Sequence, residues 1–228
     1  MTKSDLNREK RAAAEKAFEF IESGMLVGLG TGSTVKFMIE SLAKKIKNGL
    51  NVKTVSTSNA TSKFAESLGI TLLNFNDVDE IDLTIDGVDE VDPNLNGIKG
   101  GGGALLYEKI VASSSNKNIW IVDSTKQVEE LGRFPLPLEV VPFGVNQTFN
   151  ELLSLGYKPE FRSAAGNNYL TDGNHYIIDL HLNKIENPAE LNNKLLLIPG
   201  VVDTGLFIEI CDVLIIGADD ECKIILKT

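Results

Sequence analysis

Apolar positions along the first part of the chain follow two rhythms that take turns. Residues 4–21 place Ala13, Ala14, Ala17, Phe18 and Ile21 at helical spacing, and Gly24 closes the stretch. Met25-Leu26-Val27-Gly28-Leu29-Gly30 follows as a short continuous apolar run suited to a buried strand. Val35, Met38, Ile39, Leu42 and Ile46 then return to helical spacing. The same exchange predicts strands at 52–56, 70–73, 81–86 and 119–123. It predicts helices between Asn59 and Gly69 and from about 104 to 112. Strand and helix in alternation predict an α/β fold: a Rossmann-like, mostly parallel sheet with helices on both faces.

After Gln127 the rhythm changes. Pro135 and Pro137 mark a crossing, and the order then reads strand (140–141), helix (148–155), strand (157–162), strand (176–182), helix (188–196), strand (201–207). That order predicts an inserted ferredoxin-like α+β subdomain. Val213 to Ile216 and Ile224 to Leu226 are apolar runs of the kind buried in a parallel sheet. The expected division is residues 1–130 with 208–228 as the Rossmann-like catalytic domain, and 131–207 as the insert.

Charge narrows the set of partners. With 22 Lys and Arg against 32 Asp and Glu, the formal net charge is −10. Such a chain repels nucleic acid and anionic membrane unless basic residues are concentrated locally. The densest group, Lys44, Lys45 and Lys47, reads as the solvated face of a helix. No nucleic-acid and no membrane partner is expected, and an anionic ligand must be held by a few placed groups. Cys211 and Cys222 lack metal-ligand spacing and read as buried free thiols. Neither a signal peptide nor a bilayer-spanning stretch is visible, so a cytoplasmic setting is expected. His175 and His181 lie around a predicted strand of the insert, where structural roles are expected.

Ligands of an open parallel sheet bind beyond the carboxyl ends of its strands. The first strand ends in Gly28-Leu29-Gly30-Thr31-Gly32-Ser33-Thr34, a glycine-rich turn opening a helix. Its unpaired N–H groups and the helix dipole favour a phosphate, although a plain tight turn has the same composition. It lacks the spacing of a dinucleotide fingerprint and the Gly-Lys-Ser/Thr ending of a P-loop, which speaks against NAD and ATP. Asp86-Gly87-Val88-Asp89-Glu90, with Asp92, is a dense acidic turn. Turn chemistry alone explains Asp-Gly, and a Mg²⁺ or Ca²⁺ site is one outlet for the clustered carboxylates, though no EF-hand spacing is present.

Lys99-Gly100-Gly101-Gly102-Gly103 is the least ordinary segment. Ordering four glycines is costly in backbone entropy, and a helix follows at once, so close approach of the backbone to a ligand is favoured over a flexible linker. Lys99 could neutralise an oxyanion. Glu108, on that helix, has Ala104, Leu105, Val111 and Ala112 as helical neighbours. Desolvation raises a carboxyl pKa, which suits a general base, while a structural pair with a lysine is the alternative. The fifth strand ends in Asp123-Ser124-Thr125-Lys126.

Taken in order, Gly30-Thr31-Gly32-Ser33-Thr34, Asp86-Gly87-Val88-Asp89-Glu90, Lys99-Gly100-Gly101-Gly102 with Glu108-Lys109, and Ser124-Thr125-Lys126 resemble the type A ribose-5-phosphate isomerases. Gly132-Arg133-Phe134-Pro135-Leu136-Pro137, Pro199-Gly200-Val201-Val202 and Gly205-Leu206-Phe207 extend the resemblance over nearly the whole chain. It implies interconversion of ribose 5-phosphate and ribulose 5-phosphate, without metal or organic cofactor, in the non-oxidative pentose phosphate pathway. It implies Glu108 as proton acceptor, Asp86, Asp89 and Lys99 as further catalytic groups, and a cytoplasmic homodimer or homotetramer. Thr31, Gly32, Ser33, Thr34, Asp86, Gly87, Val88, Asp89, Lys99, Gly100, Gly101, Gly102 and Lys126 are its implied substrate contacts. The chain departs from the family pattern at Gly103, where alanine is common, and at Thr171-Asp172-Gly173-Asn174-His175, which puts local turn geometry in question. The rival reading is a sugar-phosphate-sensing regulatory domain on the same scaffold, which needs the phosphate turn but not Glu108. An amino-sugar phosphate deaminase, an acyl-CoA transferase and a plain Rossmann oxidoreductase fit the motifs less well.

Overall fold

The alternating runs build a mixed α/β fold in a computed structural model that describes residues 2–218 and 222–227. Its strands are β1 (Leu26–Leu29), β2 (Lys53–Ser56), β3 (Leu83–Asp86), β4 (Glu90–Val91), β5 (Gly97–Ile98), β6 (Asn118–Asp123), β7 (Leu136–Val140), β8 (Pro159–Phe161), β9 (Ser163–Ala164), β10 (Asn167–Asn168), β11 (Tyr176–Leu180), β12 (Val201–Thr204), β13 (Leu206–Phe207), β14 (Val213–Gly217) and β15 (Lys223–Leu226). Its helices are α1 (Lys3–Ala17), α2 (Ser33–Lys47), α3 (Asn59–Ser67), α4 (Leu105–Ser113), α5 (Val145–Ser154) and α6 (Pro188–Leu196). The chain divides into two compact units. One takes residues 1–88, 107–126 and 209–228, and the other takes 89–106 and 127–208.

The first unit holds a six-stranded sheet in the order β15-β14-β6-β3-β1-β2. All its pairings are parallel except that of β14 with β15. The strand side chains alternate between two apolar clusters. Val27, Leu29, Leu83, Ile85, Ile119, Ile121 and Ile215 pack with Ala13, Ala14 and Ala17 of α1 and Val35, Met38, Ile39 and Leu42 of α2. Leu26, Val55 and Ile81 pack with Val111 of α4. Local chemistry sets the helix starts. Thr2 and Asp5 form a capping box on α1, and Ser58 accepts the Thr61 N–H at the start of α3. The expected strand at 70–73 is reduced to a single bridge between Leu72 and Thr54, because the chain turns at once into a short 3₁₀ segment, Phe75–Asp77.

The second unit carries an antiparallel sheet in the order β12-β7-β11-β8, with α5 between β7 and β8 and α6 between β11 and β12. Leu136, Leu138, Val140, Leu152, Ile178, Leu180 and Leu195 form its core. Pro137 lies within β7, so the two prolines open a strand where the sequence suggests only a crossing. Residues 89–106 group with this unit for a visible reason. β4 and β5 pair with each other, and β5 pairs with β13. The buried Glu90 carboxylate also accepts the N–H groups of Gly132 and Phe134 at 2.8 and 2.6 Å. None of these short pairings has a hydrophobic period to announce it.

Candidate active site

In the first unit the glycine-rich turn joins β1 to α2. Gly32 occupies the helix N-cap at φ +131°, a conformation in which glycine is favoured, and no side chain caps the helix. The first-turn N–H groups are therefore not consumed by a capping hydroxyl. Thr31 faces inward instead. Its Oγ1 lies 2.9 Å from Thr57 Oγ1, 2.8 Å from Ser58 Oγ and 3.1 Å from Thr61 Oγ1, and Thr61 Oγ1 donates to Gly30 O. This hydroxyl cluster fixes the turn from below. Ser33 points outward and accepts a hydrogen bond from Lys10 Nζ at 2.9 Å.

Asp86, at the end of β3, is buried, and its Oδ1 accepts the Thr31 N–H at 2.9 Å and the Gly87 N–H at 2.7 Å. One carboxylate thus ties the glycine-rich turn to the acidic turn. Val88 is buried beside it. Glu108 on α4 is 4 % exposed and has interactions within the fold, while its Oε2 is sealed from solvent with no hydrogen bond among the described residues. Lys126 ends the short 3₁₀ segment after β6 and is partly exposed.

In the second unit Asp89, Lys99 and the glycine loop come together. Asp89 Oδ2 accepts the Gly101 N–H at 2.7 Å, and a Cβ on Gly101 would lie within 3 Å of that carboxylate. Of the loop N–H groups expected at an oxyanion, that of Gly101 is therefore already engaged. Lys99 is 2 % exposed, its N–H donates to Gly205 O, and its ammonium lies 5.3 Å from the Phe207 ring centroid. The remaining acidic residues have backbone duties: Glu90 as described, while Asp92 accepts from the N–H groups of Asn94 and Asn96. Among the described residues, no group of three His, Cys, Asp or Glu side chains converges as a metal site.

Several participants went unread in the sequence. Glu9, buried on α1, accepts the Ser124 N–H at 2.9 Å, and Lys10 Nζ lies 3.6 Å from Asp123 Oδ2. Together they tie α1 to the segment that carries Lys126. Both sit in an ordinary-looking polar stretch, and their only signal is that a carboxylate and a lysine share one turn of a helix whose other face is alanine. Arg162 and Tyr169 approach the glycine loop. The departure at 171–175 is also explained. Thr171 Oγ1 donates to Glu139 Oε1 at 2.8 Å, His175 Nδ1 lies 3.0 Å from the same oxygen, and Asn174 takes φ +60°. His175 is thus structural, as expected.

Comparison with known proteins bears on the whole chain. Residues 53–221 match the family model of ribose 5-phosphate isomerase A (phosphoriboisomerase A). Ribose-5-phosphate isomerase A of Levilactobacillus brevis is 50% identical over 218 residues, covering 95% of this chain and 96% of that protein. A structure of D-ribose-5-phosphate isomerase in complex with phospho-erythronic acid superposes with a TM-score of 0.93 at 37% identity, over 97% of this chain and 99% of that one. The ribose 5-phosphate isomerase A of Neisseria gonorrhoeae gives 0.90 at 40% identity, over 98% of each. This chain belongs to the ribose 5-phosphate isomerase A family, enzymes that interconvert ribose 5-phosphate and ribulose 5-phosphate.

Proposed function

We propose that Glu108 is the base that moves the proton during this isomerisation. It takes the proton from carbon 2 of the opened aldose, and the electron pair moves onto the carbonyl oxygen at carbon 1 to give an enediolate. It then returns that proton to carbon 1, while the proton of the carbon-2 hydroxyl is shuttled by the aspartates Asp86 and Asp89 to the carbon-1 oxygen, leaving the ketone at carbon 2. The observation that carries this reading is the burial of the Glu108 carboxylate on an apolar helix face. A carboxylate held away from water is a stronger base toward a carbon acid than a solvated one.

The other roles follow from charge and donor type. The turn of Thr31, Gly32, Ser33 and Thr34 receives the phosphate on N–H groups that no side chain caps. Lys126 and Lys10 supply compact positive charge, Lys10 through its contact with Ser33. Asp86, Gly87, Val88 and Asp89 bind sugar hydroxyls, and the two aspartates assist ring opening. Lys99, with Gly100 and Gly102, stabilises the developing oxyanion. No organic cofactor or metal enters these steps. A sensing domain would have no use for a buried glutamate and a buried lysine, so that alternative is not favoured.

The enzyme is further read as a cytoplasmic homodimer or homotetramer of the non-oxidative pentose phosphate pathway. Among the described residues no helix is long and apolar enough to cross a membrane. Phe143 and Leu197 of the second unit are 94% and 83% exposed, the kind of surface that a second copy covers. Light scattering on the purified protein reads the copy number directly. The base assignment is tested by Glu108→Gln, for which kcat falls ~10²–10⁴-fold with KM little changed. Turnover of that variant near the native rate would refute it.

A further inference from the structure

Within the second unit the glycine loop is gripped by its carbonyls. Arg162 Nε and Nη2 donate to the two oxygens of Asp179 at 2.9 and 2.5 Å, a two-pronged pair. The remaining prong, Nη1, donates to Gly100 O at 2.5 Å and reaches Gly101 O at 3.3 Å. Next along the loop, Tyr169 O–H donates to Gly102 O at 3.2 Å. Burial pushes the Tyr169 hydroxyl above its ordinary pKa, so it remains a donor through neutral pH. The same hydroxyl lies 2.3 Å from where a Cβ on Gly103 would stand, so the glycine there makes room for the tyrosine.

Three consecutive carbonyls are thus held by Arg162 and Tyr169. In a trans peptide the N–H points opposite to the C=O. The N–H groups of Gly101, Gly102 and Gly103 are therefore turned away from these two side chains. Gly101 N–H meets Asp89, and Gly103 N–H closes back on Gly100 O at 3.0 Å. Gly102 N–H meets no acceptor among the described residues. A cationic donor on the Gly101 carbonyl also polarises the peptide unit that ends in this N–H.

We infer that Arg162, locked by Asp179, is a positioning residue that aims the Gly102 N–H at the oxyanion formed during enolisation, with Tyr169 holding the far side of the loop. The inference rests on the reading above, in which the segment from Lys99 to Gly102 faces the reacting carbons. The planar fork is essential, because lysine can keep the charge but cannot bind Asp179 and the loop carbonyls together.

The experiment is steady-state kinetics on ribose 5-phosphate for Arg162→Ala, Arg162→Lys and Tyr169→Phe, with melting temperatures and binding of phospho-erythronate, whose carboxylate resembles the enediolate. Deleting an oxyanion donor costs ~10²–10³ in kcat, and loosening one costs less, so Arg162→Ala and Arg162→Lys should each lose about 10- to 100-fold in kcat. KM should stay within about threefold, and phospho-erythronate should weaken in parallel with kcat rather than with KM. Guanidinium at non-denaturing concentration should restore part of the kcat of Arg162→Ala, and Tyr169→Phe should lose a smaller part of it. If Arg162→Ala is insoluble, the lysine and phenylalanine variants carry the same expectation. Native kcat in the soluble Arg162 variants, or full activity in Arg162→Lys, overturns the inference. Lys99→Ala and Glu108→Gln separate the two levels. If both are inactive while the Arg162 variants are active, only the positioning role fails. If both are active, the reading of the site fails and takes this inference with it.

Discussion

Gly30→Ala is the sharpest available test of how the first unit joins its glycine-rich turn to Asp86. Gly30 follows directly on β1 and donates its N–H to Ile85 O at 2.9 Å. A Cβ there would lie 2.6 Å from Asp86 Cα, 2.2 Å from Cγ and 2.1 Å from Oδ1. Rotating the aspartate relieves the last two contacts but not the first, so the backbone of β3 must also shift. Overpacking of this kind costs about 1–3 kcal/mol. The displaced Oδ1 accepts two N–H groups, and each hydrogen bond to a charged acceptor contributes about 1.5–3 kcal/mol. Retaining one of the two leaves a total of roughly 4 kcal/mol, which at about 2–4 °C per kcal/mol lowers Tm by on the order of 10 °C. Gly87→Ala is the matched control: its Cβ would meet nothing nearer than Thr31 O at 3.7 Å. It should change stability by less than about 0.5 kcal/mol. Thermal and urea unfolding followed by circular dichroism measure both. A Gly30→Ala protein melting within about 2 °C of the native one would refute the argument, since that shift corresponds to under ~1 kcal/mol.

Lys10→Met and Lys126→Ala should each raise KM for ribose 5-phosphate about 10-fold or more with kcat less affected, since a charged contact contributes about 1.5–3 kcal/mol. Unchanged KM in both would move the phosphate away from the turn. Burial pushes the Cys211 thiol up to about 12, so at pH 8 its thiolate fraction is only ~10⁻⁴. Iodoacetamide at that pH should leave Cys211 unmodified by peptide mass mapping until denaturant is added, and rapid modification of the folded protein would show the burial to be wrong. Cys222, also raised by burial but partly exposed, should react first.

The parallel sheet was legible because its strands are continuous apolar runs. Leu26–Leu29, Leu83–Asp86 and Asn118–Asp123 are buried along their whole length, and α1 and α2 carry apolar stripes facing them. The expected strand at 70–73 has similar composition, but composition does not reveal that Phe75 and Asn76 turn the chain away after one bridge. Segments held by polar contacts left no period to read. The two-residue strand Glu90–Val91 pairs with Gly97–Ile98, which in turn pairs with Leu206–Phe207, more than a hundred positions along the chain. Lys10 and Arg162 were missed for a related reason. An isolated cation in a polar stretch looks like a solvated one until the fold shows a hydroxyl or a row of carbonyls in front of it.

The acidic turn shows how the fold resolves what composition leaves open. Four carboxylates within seven residues leave a plain turn or a bound cation open on composition alone. Backbone donors supply the other outlet. Asp86 holds Thr31 and Gly87, Asp89 holds Gly101, Glu90 holds Gly132 and Phe134, and Asp92 holds Asn94 and Asn96. Each carboxylate thus accepts at least one backbone N–H and has a structural task in its own turn or loop. The pattern also separates the two aspartates. Asp86 accepts the Thr31 and Gly87 N–H groups through Oδ1, and Asp89 accepts the Gly101 N–H through Oδ2. Each carboxylate therefore fixes one of the two glycine-rich segments, Asp86 the turn at Thr31 and Asp89 the loop at Gly101. Replacing either carboxylate by an amide keeps an acceptor oxygen but removes the charge. Such a variant therefore separates holding the loop, which an amide oxygen can do, from moving a proton, which it cannot.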